Sequence, residues 1–393
     1  MVGGLRLILH NGCDGHSRFS GGKLVKTVSR TTALKGLALA AVASLALAGC
    51  AAAPAAPTAT PVDYKACMVS DAGGFNDASF NQEAYAGLQQ AVAELGVQEA
   101  KVESPEAATQ TDYVSGIDSM VAEGCNLVIG VGFALANAVR DAAKANPEVN
   151  FALIDSALSN DDFSPLSLPN VKPIQYDTAE AAYLAGYLAA ATSKTGKVAT
   201  YGGMLFPSVT IFMDGFKQGV EAYNAAKGKK VAVLGAAGTD SSKWAATGDF
   251  SDQAKGKTLT EGFFAQGADI VLPVAGPVGI GTGQATLDKS GTYVIGVDSD
   301  WFGLETHAAY KANILTSIEK KMAKAVLEVI KSGVDGTFTG GDENQYVGNL
   351  ANEGVQISAQ HDVAYPAGVE AELEALKADI VSGKIVVASG YKK

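Results

Sequence analysis

The sequence predicts an α/β protein of two Rossmann-like lobes, each a parallel sheet packed by helices, with a ligand cleft between them. Three observations predict it. The chain has 393 residues, more than one small core needs and short for three full domains. Its 47% hydrophobic and 18% charged residues are a globular composition, and its 45 glycines follow no triplet period, which excludes a wholly disordered chain and collagen. From residue 62 onward, apolar runs of four to six residues alternate with amphipathic stretches of ten or more, the pattern of βαβ units.

Taken in order, a strand at 66–69 leads into a helix at 80–95, one at 127–131 into a helix at 134–146, and one at 151–154 into a polar loop. The first lobe is expected over 62–172, with about 302–338 returning to it. A second series starts with a strand at 174–176 and a helix at 179–191. It continues with strands at 198–201, 231–234, 270–274 and 294–297 and helices at 209–226 and 279–287. The second lobe is expected over 173–301, with about 339–393. Asp214, Gly215, Phe216 in the second series faintly echo Tyr85, Ala86, Gly87 in the first. Polar and aromatic residues gather where strands end, and open α/β sheets bind ligands at the carboxyl ends of their strands.

Residues 1–49 read as an address. Lys23, Lys26, Arg30 and Lys35 precede a small-residue apolar run over 36–48, a basic n-region and an h-region too short to span a membrane comfortably. The run ends in Leu47, Ala48, Gly49, Cys50, which resembles the lipobox of bacterial lipoproteins and makes Cys50 the expected lipidation site. Residues 1–22 read as surplus upstream of the signal. Residues 51–61 are only Ala, Pro and Thr, a flexible tether.

The whole chain carries a net charge of −11. Removing 1–49 leaves 24 basic against 40 acidic residues, so the mature part is strongly acidic and nucleic acid is excluded as a partner. Cys67 and Cys125 lie at or beside predicted strands, where a disulfide and two buried thiols are both open and apolar positions favour the thiols. Among the histidines only His307 and His361 lie beyond the leader, and no Cys or His pair has metal-ligand spacing. Neither a metal nor a cofactor is expected.

The segment from Asp71 to Asn81 (DAGGFNDASFN) is the densest in the chain. Its glycines permit a tight turn, Ser79 or Asp77 can cap the next helix, and Asn76 and Asp77 can hydrogen-bond a ligand. Gly279, Gly281 and Gly283 lack the full spacing of a dinucleotide fingerprint and read as a strand-to-helix turn. Of the run Lys320, Lys321 and Lys324, the last two read as a solvated helix face.

From residue 62 to the C-terminus the chain resembles the basic membrane protein family of bacterial lipoproteins. The resemblance rests on 71–82 with Ala84, Tyr85 and Gly87, on Asp155, on 180–186, and on Asp214 to Phe216. It extends through 248–252 with Gly256 and Lys257, 296–300 and 316–320. It implies a type I periplasmic-binding fold that closes on a purine nucleoside and serves an ABC transporter permease. Carried onto this chain, Asn76, Asp77 and Asp155 would read the base edge, Tyr85 and Phe250 would sandwich the ring, and Gly276, Asp298 and Lys320 would hold the ribose. The protein would be a monomer anchored by lipid on the extracytoplasmic face. The family usually has Gln where this chain has Trp301, so Trp301 is expected at the cleft rim, with Trp244 a rival stacking residue.

The competing class is an exported nucleoside hydrolase, suggested by Asp71 and Asp77. It needs a calcium cage of several carboxylates and a nucleophile beside a base, and the sequence offers neither. A sugar or autoinducer receptor would share the fold with fewer carboxylates at the base end. A transcription regulator of this fold would carry a helix-turn-helix where the signal and tether stand.

Overall fold

The computed structural model describes residues 59–390. The signal segment, Cys50 and most of the tether lie outside the described residues.

The first series runs β1 (Lys65–Ala72), α1 (Phe80–Leu95), β2 (Gln98–Ser104), α2 (Gln110–Ala122), β3 (Leu127–Val131), α3 (Ala136–Ala145), β4 (Asn150–Ile154) and β5 (Val171–Tyr176). The second runs α4 (Thr178–Thr192), β6 (Lys197–Gly202), α5 (Pro207–Lys227), β7 (Ala232–Leu234), α6 (Gln253–Ala265), β8 (Ile270–Val274), α7 (Gly279–Leu287), β9 (Tyr293–Asp298) and β10 (Ile314–Lys320). Then follow α8 (Met322–Val334), β11 (Tyr346–Gly348), β12 (Val355–Ile357) and α9 (Val369–Val381).

Two six-stranded sheets result, ordered β11-β5-β4-β3-β1-β2 and β12-β10-β9-β8-β6-β7. The first is parallel throughout, and the second carries one antiparallel pair, β10 with β12. The orders repeat strand for strand, so β4 corresponds to β9 and β5 to β10. β3 and β8 are buried along their whole length, the all-apolar pattern of strands covered on both faces.

The sheets divide the chain differently from the expected lobes. Residues 173–176 belong to β5, which pairs with β4 in the first sheet, and 346–348 join that sheet as β11. Within 302–338, β10 joins the second sheet beside β9, and only α8 packs back onto α1 of the first lobe. Every residue of β10 is buried, although Thr316 and Lys320 on one face and Ser317 and Glu319 on the other make it the most polar of the central strands.

Two of the family motifs explain a helix contact. An added Cβ on Gly186 of α4 would stand 2.0 Å from the Phe216 carbonyl oxygen, and one on Gly215 of α5 2.4 Å from that of Ala179. Only glycine lets these two helices touch backbone to backbone. Cys67 in β1 and Cys125 before β3 form a disulfide with Cα atoms 6.0 Å apart, so the free thiols favoured by their apolar positions are not what the structure contains. Parallel neighbours β1 and β3 bring the two side chains together.

Candidate functional site

Strand ends from both sheets converge on a cleft. The first lobe contributes Asp71 and Ala72 from the end of β1, Phe133 after β3 and Asp155 after β4, with Asp77, Phe80 and Asn81 at the start of α1. The second contributes Phe206, Ser208, Val209 and Phe212 around the start of α5, Phe250, the Val274 to Pro277 turn, Asp298 and Lys320.

Asp155 and Asp298 occupy matching places at the ends of β4 and β9. Both have left-handed backbones, with φ of 62° and 69°, a conformation that costs a non-glycine residue about 1–2 kcal/mol. Asp298 is buried and accepts a hydrogen bond from Ser79 Oγ of the first lobe at 2.9 Å. Burial pushes its carboxyl up to about 6, against the pull of nearby Lys320 and with the charge of Asp155 adding to the rise. The Lys320 ammonium ion-pairs with Asp155 and lies 3.9 Å from Asp298. The rings of Phe212, Phe80 and Tyr176 surround it at 5.0, 5.1 and 5.8 Å. A buried cation facing two carboxylates and several ring faces is compensated on every side. The pairs Ser79 with Asp298 and Lys320 with Asp155 each join one lobe to the other.

At the opposite end of the cleft, Asp71 Oδ1 accepts from the Ala72 amide at 2.7 Å and from the Tyr113 hydroxyl at 2.6 Å. Its carboxyl is raised, burial being the main cause. Its Oδ2 has no hydrogen-bond partner among the described residues. Phe133 and Phe206 stack across the lobes with centroids 5.1 Å apart, and Phe250 lies 6.1 Å from Phe206.

Six of the residues expected at the site line the cleft: Asp77, Asp155, Phe250, Gly276, Asp298 and Lys320. Asn76 is exposed and lines the adjoining outer mouth. Tyr85 lies elsewhere, on the outer flank, packed on Phe75 at 4.9 Å and under Lys101 at 4.4 Å, with its hydroxyl on Glu99 at 3.3 Å. Asp77 is in place but engaged. It accepts from the amides of Ser79, Asn81 and Gln82 and from the Asn81 side chain, each at 3.0 Å. Both carboxylate oxygens are therefore spent on starting α1, and neither Asp71 nor Asp77 is arranged as part of a calcium cage.

Neither tryptophan reaches the cleft. Trp301 is 1% exposed, and its indole donates to the Val297 carbonyl at 2.9 Å. An added Cβ on Gly296 would fall 2.5 Å from its ring, so the strand's own glycine makes room for it inside the lobe. Trp244 is buried in the main core. Gly281 and Gly283 abut α6 and the Tyr310 ring, a packing role with no phosphate cradle.

Sequence reasoning assigned no role to Asp71, Ser79, Phe80, Phe133, Phe206 or Phe212 in the ligand set. Asp71, Ser79 and Phe80 stood inside the dense motif, and Phe206 directly precedes the proline that begins α5. Phe133 and Phe212 carried no signal beyond their places after a strand and in the first turns of a helix.

The family model for PnrA-like ABC transporter substrate-binding proteins matches residues 64–389. The chain is 33% identical over 375 residues to the ABC transporter nucleoside-binding protein BmpA of Lactococcus lactis, covering 92% of this chain and 99% of that one. It is 28% identical over 326 residues to basic membrane protein A1 of Borrelia garinii, covering 82% and 88%. A solute-binding protein of an ABC transporter system from Aeropyrum pernix superposes with a TM-score of 0.68 at 26% identity, covering 82% of this chain and 92% of that chain. The fold is that of type I periplasmic-binding proteins, and the chain belongs to the Bmp family of PnrA-like ABC transporter substrate-binding proteins.

Proposed function

We propose that the cleft binds a purine nucleoside in its neutral form and that acylated Cys50 holds the protein on the extracytoplasmic face of the membrane. The observation that carries the ligand reading is the buried cluster of Asp155, Lys320 and Asp298 beside phenylalanines from both lobes. Aromatic faces suit a flat purine, each ring pair contributing about 0.5–1.5 kcal/mol beyond area burial. Phe250 from the second lobe meets the base opposite Phe80 or Phe133 from the first, and Asp71 Oδ2 accepts from an N–H on its edge. Asp298 accepts from both ribose hydroxyls, and Lys320 donates to a ribose oxygen. The nucleoside-binding name of the Lactococcus lactis relative supports the same class.

Competition calorimetry with guanosine, 2′-deoxyguanosine, guanine and GMP tests this reading. A free base leaves Asp298 and Lys320 without ligand partners, so affinity should fall from guanosine through the deoxynucleoside to guanine. GMP places negative charge near Asp298 and Asp155 and should bind more weakly than guanosine. Tighter binding of GMP would refute the neutral-nucleoside assignment.

The anchor rests on Leu47, Ala48, Gly49, Cys50 following a basic and apolar run. No helix among the described residues is long and apolar enough to cross a membrane. Two or three acyl chains would hold the protein stably where one would be marginal. A clickable palmitate analogue fed to cells should label the native protein and leave the Cys50→Ala variant dark. Equal labelling of both would remove the anchor.

A further inference from the structure

Beside the cleft lies a second, smaller space that shares Phe133, Asp155 and Ser208 with it as common wall. Its remaining lining includes Ser156, Gln175 and Asp177, and no lysine or arginine lines it. Gln175 is partly exposed, on β5 near the crossover into α4. Neither its side-chain amide nor the Ser208 hydroxyl makes a hydrogen bond among the described residues. An amide and a hydroxyl can each donate and accept, so this chamber presents two uncommitted neutral groups beside two carboxylates.

We propose that this chamber is a subsite for a neutral or cationic, hydroxyl- or amine-bearing extension at the 5′ position of the bound nucleoside. The inference rests on the nucleoside reading of the cleft and goes beyond it by naming a larger ligand class. Orientation follows from the site: Asp298 engages the 2′- and 3′-hydroxyls, which leaves the 5′ carbon as the sugar position free to carry a substituent. Asp155, which touches Lys320 on the cleft side, also borders the chamber, so the sugar end of the ligand is the end nearest to it. Ser208 is a small side chain at this junction, on the first turn of α5, and leaves a low sill between the two spaces. Charge selects the substituent. No lysine or arginine lines the space to hold a phosphate, while Gln175 and Ser208 supply donors and acceptors to a hydroxyl or ammonium group.

The test titrates guanosine and guanosine bearing a 5′-(2-hydroxyethyl)amino arm into the native protein and into Ala157→Phe, which fills the chamber from its own wall. The native protein should bind the armed ligand within about threefold of guanosine or more tightly. Ala157→Phe should exclude the armed ligand at least about tenfold and leave guanosine unchanged. Gln175→Met, a milder change that keeps length and removes the amide, should weaken only the armed ligand, by about 2- to 10-fold for one hydrogen bond. If native protein binds guanosine well but rejects the armed ligand more than tenfold, or if both variants treat the two ligands alike, the subsite is overturned and the nucleoside reading stands. Failure of the native protein to bind guanosine or any other purine nucleoside would overturn both.

Discussion

Two aromatic residues of similar size, Phe250 and Tyr85, are assigned to the same task by resemblance and separated by geometry. Phe250 borders the cleft and neighbours Phe206 at 6.1 Å, whereas Tyr85 is held on the outer flank by Phe75, Lys101 and Glu99. Phe250→Ala should therefore weaken guanosine binding about 5- to 150-fold, the range for removing a buried ring partner of about 1–3 kcal/mol. Tyr85→Ala should change it by less than about twofold. Calorimetry on both variants checks this, and a larger loss in Tyr85→Ala than in Phe250→Ala would reverse the assignment. The position of Tyr85 was partly legible. Ala84, Leu88 and Ala91 repeat along the buried stripe of α1, and five residues on from Phe80 turns a helix about 140° away from it. Trp301 was not legible, because its burial depends on Gly296 and Gly279 standing against its ring, a relation among residues up to 22 positions apart.

At the scale of elements, the order of strands and helices was legible because β3, β8 and β9 are nearly unbroken apolar runs and the long helices between them are amphipathic or wholly buried. Which sheet each strand joins was not. β5 and β10 each end at a crossover between the lobes, with α4 and α8 beginning two residues later, and nothing in a local apolar pattern says where the chain changes lobe. The same limit applies to polar residues that serve an element before they serve a ligand. Asp77 sits two positions before Ser79, the residue flanking α1, and its four accepted hydrogen bonds start that helix. A carboxylate at a strand-to-helix turn is equally good as a cap or as a ligand acceptor, and only the directions of Asn81 and Gln82 decide between them. Asp71 shows the reverse outcome, since one of its oxygens holds Tyr113 and its own loop and the other has no hydrogen-bond partner among the described residues.

Across the whole molecule, the two lobes are tied by Ser79 to Asp298 and by Lys320 to Asp155, so the charge state of one buried cluster bears on both binding and stability. Asp298 takes its proton at about 6 in the folded protein, raised from 3.8 chiefly by burial. The folded state therefore binds that proton before the unfolded chain does, and this group alone makes the fold more stable as pH falls through about 6 toward 3.8. Ligand binding moves the other way. In the proposed complex the ionised carboxylate would accept from both ribose hydroxyls, and protonation would replace one acceptor with a donor and remove the charge. Guanosine affinity should consequently fall about tenfold between about pH 7.5 and about pH 5, while thermal unfolding shows no matching loss of stability from this site. Asp71 is also raised by burial, so the wild-type profile alone does not identify the titrating group. Asp298→Asn, of nearly the same shape and without the charge, separates them: it should bind guanosine weakly at both pH values and flatten the profile. A variant that keeps the full tenfold fall would move the titration to another carboxylate, with Asp71 the first to replace.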